Sequence, residues 1–73
     1  MEIFIQRFKD QLEDTTLNLD SETDYVNSDF WDSLTAVAIH MMIENEYKVY
    51  IEVEQLSRFK TIKGLFDFIQ ENK

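Results

Sequence analysis

The sequence predicts an all-α fold, a bundle of three main helices plus one short helix with a long first loop. Apolar residues recur at three- and four-residue spacing in three separate segments, as expected for helices that bury one face. One further segment, 48–53, alternates polar and apolar residues like a strand. Because a single strand has nothing to pair with in this chain, we expect that segment to be an extended connector.

The first helix is predicted from about Glu2 to Glu13, with Phe4, Phe8 and Leu12 on its buried face. The periodicity is lost from about Asp14 to Asp32, where polar residues predominate. This segment is therefore predicted to be a long ordered loop, and loops of this length in small domains are usually functional. Isolated apolar side chains should attach it to the bundle: Leu17, Leu19, Tyr25, Val26, Phe30 and Trp31.

The second helix is predicted from about Ser33 to Tyr47, with Asp32 or Ser33 as its N-cap. It carries two apolar stripes, and a small bundle cannot easily bury both. Either the helix is central and covered on nearly all sides, or the second stripe is an exposed contact surface edged by Glu44 and Asn45. The stripe expected in the core contains Ala36, Ile39, Ile43 and Tyr47; the second contains Leu34, Val37, Met41 and Ala38.

The remainder of the chain is predicted to contain a short helical turn and a last helix. The turn lies at about Glu54 to Phe59, and the last helix begins near Thr61, a suitable N-cap. Gly64, the only glycine, costs this helix about 1 kcal/mol relative to alanine. The buried stripe of the last helix is predicted to contain Ile62, Leu65, Phe66 and Ile69.

The size and composition predict one domain, residues 1–73, with a single small core. Of the 73 residues 44% are hydrophobic, and cysteine is absent, which excludes disulfides, thiolate metal sites and cysteine nucleophiles. The N-terminus has no signal-peptide pattern, and the longest apolar run, 36–39, is too short to span a membrane. We therefore expect a cytoplasmic protein, and a monomer.

The charge is concentrated in the middle of the chain. The formal net charge is −8, and the segment from Asp10 to Tyr47 holds ten of the fifteen acidic residues and no Lys or Arg. Such a segment repels nucleic acid and anionic membranes and attracts basic protein surfaces. The alternative is that it only keeps a small protein soluble.

No metal site and no catalytic residue are predicted. The run 20–24 is similar to the opening of a calcium-binding EF-hand loop, but Tyr25 stands where glycine is needed and Trp31 where a glutamate belongs, so only weak cation binding is expected. His40, the single histidine, has no partner ligand and is expected to be a packing or surface residue. It also lies about 10 Å along the helix from Ser33, too far for a catalytic hydrogen bond.

Ser33 is the residue that carries chemistry. It stands at a helix start, where free N–H groups and the helix dipole favour a phosphate, although a serine there is more often only a cap. The sequence Trp31-Asp32-Ser33-Leu34 resembles the Asp-Ser-Leu attachment motif of the acyl carrier protein family. The resemblance covers essentially the whole chain: the amphipathic first helix, the long loop, the acidic second helix, the short third segment and the last helix.

The resemblance implies an acyl-carrier-like bundle and a specific cofactor. A phosphopantetheinyl transferase would use coenzyme A and magnesium to attach 4'-phosphopantetheine to Ser33, next to the motif residue Asp32, and the arm would carry an acyl group as a thioester. Acyl-loading and acyl-processing enzymes with basic patches would dock on the second helix. The recognition residues implied are Leu34, Val37, Met41, Glu44 and Ile51.

Several residues depart from the pattern of fatty-acid carriers. Those proteins commonly have glycine at the position of Trp31, a carboxylate at that of Ala38, and Phe-Gly at that of Tyr47-Lys48. The motif is more similar to that of free-standing carriers of specialised pathways, such as surface-polysaccharide or secondary-metabolite assembly. The alternative function is an unmodified acidic helical adaptor that binds partner proteins through its second helix.

Overall fold

The computed structural model describes residues 1–12 and 17–72, and it is helical. Its helices in chain order are α1 (Glu2–Asp10), α2 (Ser33–Tyr47), α3 (Val53–Leu56) and α4 (Ile62–Glu71). Within these ranges β-pairing is confined to one isolated bridge between Asp24 and Thr61. The prediction of three main helices, one short helix and a long first loop is confirmed.

The bounds of two helices, α1 and α3, differ from the prediction. The helix α1 ends at Asp10 because the hydrogen-bond pattern changes there. The N–H groups of Gln11 and Leu12 bond to carbonyls three residues back, as in a 3₁₀-helix, instead of four. Glu13, the predicted end, lies outside the described residues. The helix α3 occupies 53–56 instead of 54–59, because Glu52 and Gln55 form a reciprocal capping box that starts it early.

The core lies between α1, α2 and α4. Phe4 and Phe8 of α1 are buried, as predicted, and Phe8 packs edge-on against Tyr25 with ring centroids 5.4 Å apart. The predicted stripe of α4 is also confirmed, except that Phe66 is only half-buried. The fully buried aliphatic residues are Ile39, Ile43, Ile51, Leu56, Ile62, Leu65 and Ile69.

The first loop is held against the bundle by apolar side chains and by its backbone. Tyr25 is fully buried, and the other apolar loop residues named above pack against the core. The carbonyls of Thr23 and Ser21 accept hydrogen bonds from the first N–H groups of α4, those of Ile62 (3.2 Å) and Lys63 (2.9 Å). Because these N–H groups have no partner within the helix, the loop completes the N-terminus of α4.

The helix α2 leaves its second stripe exposed. Leu34, Val37 and Met41 are 81%, 44% and 54% exposed, whereas Ala36, Ile39 and Ile43 are buried as predicted. Tyr47 is half-buried against Phe4, and Met42, which the pattern did not assign, is buried as well. The helix is therefore not covered on nearly all sides, and its second stripe is exposed. Among the described residues, no helix has the length and apolar character needed to cross a membrane.

Candidate functional site

Ser33 is exposed and is the first residue of α2. The N-cap is Asp32, which has extended backbone angles and accepts a 2.7 Å hydrogen bond from the Thr35 N–H through its carboxylate. Its backbone carbonyl accepts the first helical bond, from Ala36. Because Asp32 caps the helix, the hydroxyl of Ser33 is not required for that purpose and remains available for modification.

The chain that leads into Ser33 is anchored on both sides. The Trp31 ring packs edge-on against the buried Tyr25 ring, with centroids 4.8 Å apart. On the helix side, the Thr35 hydroxyl donates a 3.1 Å hydrogen bond to the Phe30 carbonyl. Trp31 is thus a packing residue that fixes the end of the loop, and this contact accounts for an indole where glycine is common in fatty-acid carriers.

The electrostatics at the start of α2 suit an attached phosphate. The backbone N–H of Thr35 holds the pKa of the exposed Asp32 carboxyl below its usual range, so Asp32 is ionised at neutral pH. The partial positive charge of the helix N-terminus lies at Ser33, and it stabilises an anion placed there. The residues present therefore fit a phosphodiester on the Ser33 oxygen.

One face of α2 brings Ser33 together with four of the five recognition residues from the sequence. We refer to Leu34, Val37 and Met41 as the exposed stripe. Glu44 continues this face by one helical turn; its exposed carboxylate lies 3.7 Å from the Nε2 atom of His40. The result is an apolar surface that begins beside the serine and ends at a negative charge.

Ile51, the fifth candidate recognition residue, is not part of this exposed surface. Its side chain is fully buried, whereas that of the preceding Tyr50 is 67% exposed. Side chains along an extended segment point alternately to opposite sides, so Val49 and Ile51 enter the core together and Tyr50 faces outward. The alternation of polar and apolar residues in this segment was the signal that could have identified Tyr50 as its outward-facing aromatic side chain.

His40 joins the connector to α2. Its Nδ1 atom donates a hydrogen bond to the Ile51 carbonyl, and its ring packs edge-on against Tyr50 at a centroid distance of 5.3 Å. His40 is therefore a packing residue, as the sequence indicated. Over residues 1–12 and 17–72, no group of three or more potential metal ligands comes together, and Asp20 instead accepts hydrogen bonds from Glu22 and Thr23 within its own turn.

The fold and the exposed serine at the start of α2 define a carrier-type domain. The chain matches the family model described as the phosphopantetheine attachment site over residues 2–69, and it belongs to that family. The resemblance to acyl carrier proteins is thus confirmed. The family carries covalently attached 4'-phosphopantetheine; its domains are generally non-catalytic and interact with a transferase and biosynthetic enzymes. No curated protein and no solved structure gives a significant match to this chain.

Proposed function

We propose that this chain is an acyl carrier protein that tethers an acyl intermediate as a thioester on a 4'-phosphopantetheine arm at Ser33 and presents it to partner enzymes. One observation carries the proposal. Within the region that matches the attachment-site family, the serine of the Asp-Ser-Leu motif is exposed at the first residue of α2, beside a carboxylate that caps the helix in its place.

The proposed modification requires only the Ser33 hydroxyl from this chain. Its oxygen forms a phosphodiester with the phosphopantetheine phosphate of coenzyme A; the hydroxyl proton passes to the transferase, and the nucleotide part of coenzyme A leaves. The positive end of α2 stabilises the negative charge of the new diester. The chain thus supplies the nucleophilic oxygen and a favourable field, and the transferase supplies catalysis.

Partner recognition is proposed to use the exposed stripe together with Glu44 and Tyr50. Leu34, Val37 and Met41 supply apolar area, and Glu44 supplies a charge for a basic patch on the transferase or on acyl-loading and acyl-processing enzymes. Tyr50 replaces Ile51 in this surface because it lies against His40, which neighbours Val37 and Glu44 along the helix. The proposal keeps the single domain, the monomeric state and the cytoplasmic location predicted from the sequence.

The test is the intact mass of the purified protein before and after incubation with coenzyme A, magnesium and a broad-specificity phosphopantetheinyl transferase. We expect the mass to increase by one phosphopantetheine group. The variant Ser33→Ala should gain nothing. The control is Ser57→Ala, which removes another exposed serine at the end of α3 and should be modified like the wild type.

The outcome distinguishes the two functions considered. A mass gain that requires Ser33 supports the carrier. If several transferases fail to modify a protein whose helical content shows that it is folded, the carrier proposal is wrong and the chain is an unmodified adaptor. A gain that persists in Ser33→Ala would place the attachment at another residue and would contradict the assignment of Ser33.

A further inference from the structure

A groove begins beside Ser33, between α2, the end of the first loop and residues 11–12, and continues between α2 and α1. Its first part, about 450 Å³, is lined at the serine end by Asp32, Leu34 and Phe30. Its second part, about 480 Å³, continues toward Met41 and Asn45. Ala38 and Gln11 line both parts, so the two adjoin at these residues.

The groove follows one side of α2. Along α2 the groove follows Leu34, Ala38, Met41 and Asn45, the last three lying four, seven and eleven positions after the first, so they share a helix face. Three further α2 residues line the groove beside them: Thr35, Met42 and Glu46. At 1.5 Å per residue they span about 16 Å along the helix axis. The groove thus extends from the residue after Ser33 over three helical turns.

We propose that this groove holds the phosphopantetheine arm, so that the thiol and its cargo lie outside the core at the Met41 and Asn45 end. The inference rests on the proposed attachment at Ser33. The arm is about as long as five extended residues, roughly 17 Å, which matches the groove. It alternates amide and hydroxyl groups with carbon segments, and the groove likewise combines Leu34 and Ala38 with Gln11 and Asn45.

Ala38 keeps the groove continuous. It lines both parts of the groove, and its methyl group is the smallest side chain there. A longer side chain at this position would fill the junction and separate the serine end from the Met41 end. The departure at Ala38, where fatty-acid carriers commonly have a carboxylate, therefore has a structural consequence: it opens a path for the arm along α2.

The opposite side of α2 offers the arm less room. There Ile39, Ile51 and Leu56 are fully buried, and the hydrogen bond from His40 to the Ile51 carbonyl fastens the connector to the helix. An arm that entered on this side would have to break that bond and displace core side chains. The groove on the α1 side needs no such rearrangement.

The experiment compares backbone amide chemical shifts of the apo protein with those of the modified protein. We expect shift changes at Gln11, Ala38 and Asn45 in addition to those next to Ser33, and none at Ser57 and Gln70, which lie away from the groove.

The matched variants are Ala38→Phe, which adds bulk at the junction of the groove, and Glu54→Phe, which adds the same bulk at an exposed position of α3 outside both the groove and the exposed stripe. We expect Ala38→Phe to abolish the distant shift changes. Glu54→Phe should leave them unchanged. Both variants are compared only after the mass gain shows that they are modified.

The outcomes separate this inference from the proposed function. If the protein is not modified at Ser33, the carrier function fails. If it is modified but the shift changes stop at Thr35, the arm does not lie in the groove although the carrier function stands. Shift changes at Ile39, Ile51 and Leu56 instead of the groove residues would place the arm on the α3 side and overturn the inference.

Discussion

The phenol hydroxyl of Tyr25 donates a hydrogen bond to the backbone carbonyl of Leu56 and so connects the first loop to α3. The same ring packs against Phe8 of α1 and against Trp31, two residues before Ser33. Tyr25 is therefore the residue through which the loop, two helices and the approach to Ser33 are held in one arrangement.

Removal of this hydroxyl should destabilise the protein. In Tyr25→Phe the ring stays in the core, but the Leu56 carbonyl loses its partner in a buried position, which costs about 1–2 kcal/mol. For a domain of this size that corresponds to a decrease of roughly 4–15 °C in Tm, measurable by thermal denaturation followed by circular dichroism. The control Tyr50→Phe changes an exposed phenol and should leave Tm within about 3 °C. An equal effect of the two substitutions would contradict the role of Tyr25.

Alkaline pH should weaken the fold through the same side chain. Burial raises the pKa of Tyr25 well above its ordinary value, and the neighbouring Asp24 carboxylate adds to the rise. A group whose pKa is higher in the folded state contributes stability in full below its unfolded pKa, here about 10, and loses it as the pH rises further. We expect the free energy of unfolding to decrease above about pH 10. Urea denaturation of wild type and Tyr25→Phe should show a shallower decrease in the variant; parallel curves would exclude Tyr25 as the cause.

The end of α2 contains a strained residue that glycine should relieve. Lys48 has φ 59° and ψ 30°, the left-handed conformation that ends many helices and that costs a residue with a Cβ atom about 1 kcal/mol. The variant Lys48→Gly should therefore be more stable by about 1 kcal/mol in urea denaturation. Lys48→Ala removes the same charged side chain but keeps the Cβ atom, and it should show no such gain. A gain with alanine equal to that with glycine would assign the effect to the charge.

The proposed docking surface should show itself in the kinetics of modification. Met41→Ala removes exposed apolar area, and Glu44→Lys reverses a charge, so each should lower kcat/KM of the transferase about fivefold to tenfold while Ser33 stays intact. Added salt should lower the wild-type rate by screening the same attraction. The control Glu54→Lys makes the same charge reversal on α3 and should have a smaller effect. If Glu54→Lys slows modification as much as Glu44→Lys, net charge rather than the α2 surface governs the encounter.

Patterns within a few residues of the sequence were sufficient to predict much of the fold and to single out Ser33. The helical spacing of Phe4 and Phe8, and of Ile62, Leu65 and Ile69, predicted buried faces because a helix in a small domain must hide its apolar stripe. Thr61, and either Asp32 or Ser33, were predicted as caps because short oxygen-bearing side chains satisfy the free N–H groups of a helix start; the structure has Thr61 and Asp32. The Asp-Ser-Leu motif pointed to Ser33 through three adjacent residue types, which need no long-range contact to be recognised.

Other features depended on hydrogen bonds or on packing that apolar spacing alone does not encode. The early start of α3 and the end of α1 at Asp10 reflect local hydrogen bonds that apolar spacing does not encode. The exchange of Ile51 for Tyr50 at the surface depends on which side of the connector faces the core, and that side is fixed by packing against α2 and by the His40 bond.

By itself, the sequence determined the all-α class, the order of the helices, the cap of α4 and the serine of the Asp-Ser-Leu motif, since each depends on periodicity or on chemistry within a few residues. Only the tertiary structure decided which of the two α2 stripes is exposed, that Trp31 is anchored on Tyr25, and that Ala38 lies at the junction of a groove leading from Ser33. The reason is physical: burial and grooves are properties of the space between elements, and that space exists only once α1, α2, α3 and α4 have packed together.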